Sequence, residues 1–200
     1  GVVVSTVLLI TAFGTQSSLQ KVADQIEEVN TYDLKIDYSR EADPDTLNLP
    51  AGIKSSYRLS TYRVQFVKGD ENENATLTVT EKENDLIAFF DRDNNRIALE
   101  DNGVLVPKSY ADRYKISEGD TIRLQFSDSK LDNKTVEMKV THISNQYSNP
   151  SFYCTPAYLE RYGIDYKPTS LVVEAGSAAD LMSVRAFFEQ DRQVDTIEDK

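Results

Sequence analysis

The single histidine, His142, and the single cysteine, Cys154, are the first residues to weigh as a general base and a nucleophile. A nucleophile needs a base within hydrogen-bond reach and a third group to orient that base. His142 falls in an alternating stretch between Thr141 and Ile143, Cys154 follows Phe152-Tyr153, and no motif connects the two. They read as an ordinary sheet residue and a small buried hydrophobe. One cysteine allows neither an internal disulfide nor a Cys-rich metal site. Asp91-Arg-Asp-Asn-Asn95 has the alternate carboxylates that open a calcium loop. However, Arg96 stands where the sharp turn needs Gly, and Asn102 where a bidentate Glu belongs. The stretch reads as a turn rich in Asp and Asn, and Gly119-Asp120 as a helix-to-strand turn. Asn74-Ala-Thr76 and Asn133-Lys-Thr135 match the glycosylation acceptor pattern, which has meaning only in a eukaryotic secretory pathway. There is neither a P-loop nor a dinucleotide fingerprint. No catalytic, cofactor-binding or metal residue is therefore assigned, and the chain is not expected to be an enzyme. An ATPase, if one is involved, is another chain.

The tyrosines are the other notable group, eleven of them with no tryptophan. Tyr110, Tyr114, Tyr147, Tyr153, Tyr158, Tyr162 and Tyr166 crowd the second half. Amphipathic rings suit a binding face, and packing at helix–sheet junctions accounts for them equally well.

These residues must be held by a folded body, and the composition supplies one. Two hundred residues make one domain or two small ones, and 40% hydrophobic with 28% charged residues is globular rather than disordered. Twenty-two basic against 33 acidic residues give a net charge of −11. That field repels a phosphate backbone and the anionic cytoplasmic leaflet, so nucleic acid is not expected as a partner. A basic peptide or cationic antibiotic is electrostatically allowed, while the plain reading is a solubilising surface.

Residues 1–14 carry no charge. They are too few for the roughly 20 apolar residues of a membrane span and too many for a typical buried strand. No Lys or Arg precedes Lys21, as the basic region of a signal peptide would require. Residues 1–16 are expected to be the outer end of a truncated transmembrane helix, anchoring the chain to a membrane. Leu19, Val22, Ala23, Ile26 and Val29 fall at helical spacing and predict a stalk helix to Val29. The alternation in Tyr32–Tyr38 predicts a half-buried strand, and 41–52, with two prolines, a loop. Strands are expected at 57–67, 76–80, 85–90, 103–106, 121–126, 135–143 and 152–154, with a polar hairpin loop at 69–74. A short helix follows Pro107, another follows Thr155-Pro156, and Gly163 stops it. Ser170–Ala175 is an apolar strand. Ser177 and Asp180 open a helix carrying Leu181, Val184, Phe187 and Phe188 on its apolar side, and 193–198 is a last strand. A largely β middle and a strand–helix–strand end make the fold class α+β.

Three segments resemble one known family. They are the apolar end Val7-Leu-Leu-Ile-Thr-Ala-Phe-Gly14 with the stalk and Tyr-Asp strand after it, the segment Gly103 to Ile122 with its Gly119-Asp120 turn, and Phe152-Tyr-Cys-Thr-Pro-Ala-Tyr158. Together they resemble bacterial FtsX-like or MacB-like ABC transporter permeases over nearly the whole chain. The resemblance implies an extracytoplasmic domain at the cell membrane, extracellular in a Gram-positive bacterium, with a cytoplasmic ABC ATPase subunit as partner. It implies a membrane-proximal mixed α/β subdomain, residues 17–56 plus 169–200, and an inserted β-rich subdomain, residues 57–168. Such domains transmit the ATPase cycle mechanically rather than performing chemistry. They serve export of peptides, antibiotics or lipoproteins, resistance to antimicrobial peptides, or control of cell-wall hydrolases. Outside the membrane the implied partner is a peptide, a lipoprotein or the cell wall, and the full-length protein is compatible with a homodimer. The contrasting expectation is a membrane-tethered extracellular ligand-binding domain without a coupled ATPase.

Overall fold

The computed structural model describes residues 30–39 and 47–200. The expected membrane-helix end (1–16), the stalk to Val29 and part of the 41–52 loop lie outside these residues. Strand β1, Leu34–Tyr38, is set by its alternation: Leu34, Ile36 and Tyr38 are buried, while Lys35 and Asp37 point to the other face. Strand β2, Ile53–Lys68, has 16 residues and at 3.3 Å per residue runs for about 50 Å. It starts earlier than the alternation of its second half suggests.

A two-residue turn at Gly69-Asp70 leads into β3, Glu71–Thr80, with Lys68 opposite Glu71. Gly69 takes φ 60°, the left-handed geometry of such hairpins. The expected loop at 69–74 is thus mostly strand. Its polar side chains are mostly exposed on a ribbon that faces solvent, so polarity there marks exposure rather than a break in pairing.

After β3 the chain leaves the sheet. Asn84 accepts at Oδ1 from Leu86 N (3.0 Å) and donates from Nδ2 to Thr80 Oγ1 (2.9 Å). This side chain offers the backbone a local alternative to the ladder. The strand expected over 85–90 therefore shrinks to β4, Phe89–Phe90, paired with β5, Arg96–Ile97.

The remaining elements follow the predicted order. They are β6 (Val104–Pro107), helix α1 (Lys108–Tyr114), β7 (Thr121–Phe126), β8 (Thr135–Ser144), β9 (Phe152–Cys154), helix α2 (Pro156–Glu160), β10 (Ser170–Ala175), helix α3 (Ala178–Glu189) and β11 (Val194–Asp199). Thr155 caps α2 by accepting from Tyr158 N, and Ser177 caps α3 by accepting from Asp180 N (3.1 Å).

Among the described residues nine strands form one sheet in the order β11-β1-β10-β2-β3-β9-β6-β8-β7. Strand β7 pairs a second time, placing Arg123–Phe126 against Val64–Val67 of β2. That pairing closes β2, β3, β9, β6, β8 and β7 into a six-stranded barrel. Strands β11, β1, β10 and the first half of β2 remain as an open antiparallel wing. The boundary expected between residues 56 and 57 falls inside β2, which crosses it without a break. Among the described residues no helix is long and apolar enough to cross a membrane.

The barrel interior is filled by Phe66, Leu77, Leu124, Phe126, Met138 and Phe152, with α1 and α2 packed against it through Tyr110 and Leu159. Gly103 lies so close to β8 that a Cβ there would come within 2.5 Å of the Lys139 carbonyl, a fit only glycine makes. Helix α3 covers one face of the wing, burying Val184 and Phe188 against Leu34, Ile36, Leu171 and Val173. Phe187, expected on the same side, is 37% exposed. With 3.6 residues per turn, neighbouring side chains point about 100° apart and cannot both enter the core. The opposite face of the wing and the adjoining outer wall of the barrel share a third apolar cluster, including Leu59, Ile87, Phe89, Leu105 and Val172.

Candidate functional site

The sheet keeps His142 and Cys154 apart. His142 pairs with Leu105, and Leu105 with Tyr153, so His142 lies two strand spacings, about 10 Å, from β9. Paired residues share a face, which puts His142 beside Leu105 and Tyr153, whereas Cys154 turns into the barrel core. Burial pushes the Cys154 thiol well up, the protonated and inert state of a structural cysteine. His142 sits between two carboxylates, Nδ1 3.5 Å from Glu118 and Nε2 3.8 Å from Glu100.

The other sequence candidates also have local roles. Asp91 Oδ1 accepts from the backbone N–H groups of Asp93 (2.8 Å) and Asn95 (2.9 Å), closing the β4–β5 hairpin. Asp120 Oδ2 accepts from Ser117 N (2.8 Å) in the turn before β7. Asn74 is exposed on β3, and Asn133 stands in the turn before β8. Among the described residues no group of His, Cys, Asp and Glu is arranged to hold a metal ion. Of the seven clustered tyrosines, Tyr110 and Tyr158 are buried, and Tyr114, Tyr162 and Tyr166 pack against the barrel core. Tyr110 meets Phe152 edge-on with ring centroids 4.9 Å apart. Junction packing accounts for these five.

Tyr153 does something different: it faces a cleft of about 640 Å³ between the wing and the barrel. The floor is the outer face of β2 and β3, through Leu59, Thr61, Thr76 and Thr78. One wall is the irregular stretch from Ile87 to Phe90, and the other is the β8–β9 connection from Ser144 to Ser151. Asn30, Tyr32, Lys35 and Glu198–Lys200 complete the lining.

The β8–β9 wall is braced from within. Gln146 accepts at Oε1 from Ser151 N (2.8 Å), and its Nε2 donates to Ser151 O (2.9 Å) and Ser144 Oγ (2.6 Å). Ser151 Oγ bonds Thr78 Oγ1 (2.9 Å) and donates to Thr76 O (2.9 Å), pinning the loop to the floor. Asn145 N donates to Phe90 O (2.8 Å), joining the two walls. Deep in the cleft the Phe89 and Tyr153 rings meet at 4.7 Å. Burial, and then the nearby Tyr32 hydroxyl, push the Tyr153 phenol up to about 12. Tyr32 is raised as well, first by burial and then by Glu198 and Asp37. Hydroxyls and amides beside the apolar surface of Phe89, Phe90 and Tyr153 give the mixed lining that small-molecule sites use.

The cleft was invisible as a site in the sequence, although two signals marked its lining. Ser144 to Ser151 is an uncharged polar run in a chain with 28% charged residues, and Thr76, Thr78 and Thr80 put hydroxyls on one side of a strand. Neither signal says that the two meet.

A closed barrel and an α3-backed wing sharing one long strand make a fold that is similar to solved extracytoplasmic domains. Similar solved structures include the periplasmic region of MacB from Actinobacillus actinomycetemcomitans. It is 12% identical, with a TM-score of 0.53, over 90% of this chain and 94% of that one. The extracellular domain of the ABC-type transporter YknZ from Gram-positive bacteria is 16% identical, with a TM-score of 0.52, over 84% of this chain and all 100% of that one. No family model matches the sequence, and no curated protein does. At these identities the likeness is one of fold.

Proposed function

We propose that this chain is the extracytoplasmic domain of an ABC transporter permease, passing the cycle of a cytoplasmic ATPase to the outside of the cell membrane. The observation that carries the reading is the likeness of the fold to the periplasmic region of MacB and the extracellular domain of YknZ. Lys200 N donates to Asp33 O (3.3 Å), and Leu34 stands opposite Asp199. The start of β1 and the end of β11 therefore lie side by side in the wing.

In this reading residues 1–16 end a membrane helix and 17–29 are a stiff stalk. Residues 17–56 plus 169–200 form the membrane-proximal unit, and 57–168 are the inserted β-rich unit it moves. The output is export of, or resistance to, peptides or antibiotics, or control of the cell envelope. The partner outside is a peptide, lipoprotein or wall component, and the full-length permease works as a homodimer.

The stalk supplies the test. Proline at both Leu19 and Val22 costs about 3 kcal/mol of helix stability per site and would break the proposed stalk. Transport or resistance by the full-length protein is expected to fall to background at normal expression, and wild-type activity would overturn the coupling. The second reading, a tethered ligand-binding domain with no ATPase, is favoured by the cleft. It predicts that the double-proline variant keeps all of its activity.

A further inference from the structure

We propose that the outer edge of β11 binds an extended basic peptide as an added antiparallel strand. The inference rests on that edge alone and holds for a transporter domain and for a tethered binding domain alike. Among the described residues β11 pairs only with β1 and ends the sheet. In an antiparallel pair, alternate residues aim both their N–H and C=O at the partner strand. Tyr38 N donates to Thr169 O on the β10 side (3.0 Å), which leaves Lys35 and Asp37 to bond toward β11. Their register partners there are Glu198 and Thr196. The N–H and C=O groups of Ile197 and Asp199 consequently point away from the sheet. They are a template for a further strand, and main-chain bonds of this kind give strand addition its affinity.

Charge selects the occupant. Every charged residue of β11 is acidic, Asp195, Glu198 and Asp199, with Arg192 and Lys200 just outside its ends. Asp199 is held by Arg185 of α3, whereas no ion pair among the described residues involves Asp195 or Glu198. Lys35, opposite Glu198, lies 3.8 Å from Asp37. A second copy of the chain is a poor partner for such an edge. The two-fold register that uses both outward-facing residues, Ile197 against Asp199, sets Glu198 directly against its own copy, and like charges directly opposite destabilise a pair. A basic segment meets the reverse. Side chains of an added strand alternate between the two faces. On the cleft side they stand beside Thr196 and Glu198, which line up with Asp37 and Lys35. On the other side they stand beside Ile197, which packs under α3. Met182 is three residues before Arg185, so it lies on the same flank of α3, and it is 75% exposed. The fitting peptide therefore alternates basic and apolar residues.

The experiment is calorimetric titration of the 200-residue chain with an end-blocked hexapeptide of alternating Arg and Val. Its controls are the same peptide N-methylated at each Val, which keeps the charge and removes the ladder donors, and an alternating Glu and Val hexapeptide. Saturable binding of the first is expected, weakened about tenfold or more by N-methylation and absent for the acidic peptide. Glu198→Lys is expected to weaken binding about tenfold or more at an unchanged melting temperature. Asp195→Lys serves if the first variant lowers stability. Amide hydrogen exchange is expected to slow on binding at Ile197 and Asp199, and to stay as it was at Thr196 and Glu198, which already bond β1. Absence of saturable binding, equal binding of the N-methylated or acidic peptide, unchanged exchange at Ile197 and Asp199, or full binding by both charge-reversed variants would each overturn the proposal. So would a stable dimer of the chain in sedimentation that Glu198→Lys dissociates, since a second copy would then hold the edge. An active double-proline stalk variant would strike the ATPase coupling and leave these results standing.

Discussion

Glu73 shows how single side chains tie distant parts of this fold together. It stands near the tip of the β2–β3 hairpin and accepts from Arg113 Nη1 at 2.5 and 2.6 Å and from the Tyr114 hydroxyl at 2.7 Å, both on α1. The Arg113 hydrogen bond, and then that of Tyr114, hold its carboxyl below the usual range. A carboxylate with a depressed pKa in the fold contributes stability above its unfolded value, and loses it as pH falls through the folded one. Wild type is therefore expected to melt above Glu73→Gln near neutral pH, with the gap closing on acidification below the ordinary carboxylate range. A gap of constant size across the melting series would show that the charge is irrelevant. The sequence separation of about 40 residues explains why this group could not be read in advance, since local spacing carries no record of such pairs. The same holds in the cleft. The threonines of β3 were legible as an alternating row, whereas their bond to Ser151, 73 residues away, exists only once the barrel closes.

Elements were legible where their own periodicity settled the matter, as in α3, which begins at the cap that Ser177 and Asp180 imply. Its buried face was only half legible, because two adjacent phenylalanines compete for one side. Phe188 is fully buried beside Val184, and Phe187 stays at the rim. Phe188→Ala is expected to cost about 3–5 kcal/mol and Phe187→Ala less than about 1 kcal/mol, measured by urea denaturation. Equal losses would mean that α3 is rotated on the wing. The elements that misled did so for local physical reasons. The β2–β3 tip is polar because solvent surrounds it, and residues 81–88 leave the ladder because Asn84 captures Leu86 N. A sequence pattern reports burial first and pairing only through burial, so an exposed ribbon reads as a loop.

For the whole molecule, the α+β class and the order of elements followed from the sequence. The closure of the barrel did not, because it depends on the non-local pairing of β7 with β2. Strand β2 belongs to both the wing and the barrel, so neither can lose it and keep its own ladder. Equilibrium unfolding in urea is expected to show one transition, with tyrosine fluorescence and far-ultraviolet dichroism coinciding. Two separated transitions would mean that wing and barrel are independent. The edge at which Lys200 meets Asp33 has a further mechanical meaning. Ladder bonds in an antiparallel pair run perpendicular to the strands, and β11 lies antiparallel to β1 with residues 199 and 34 side by side. A force drawing residues 33 and 200 apart would peel β11 from β1 one bond at a time. A displacement that carries both together would load none of those bonds. The β1–β11 seam yields to a tug that separates residues 33 and 200 and is rigid to a push they share.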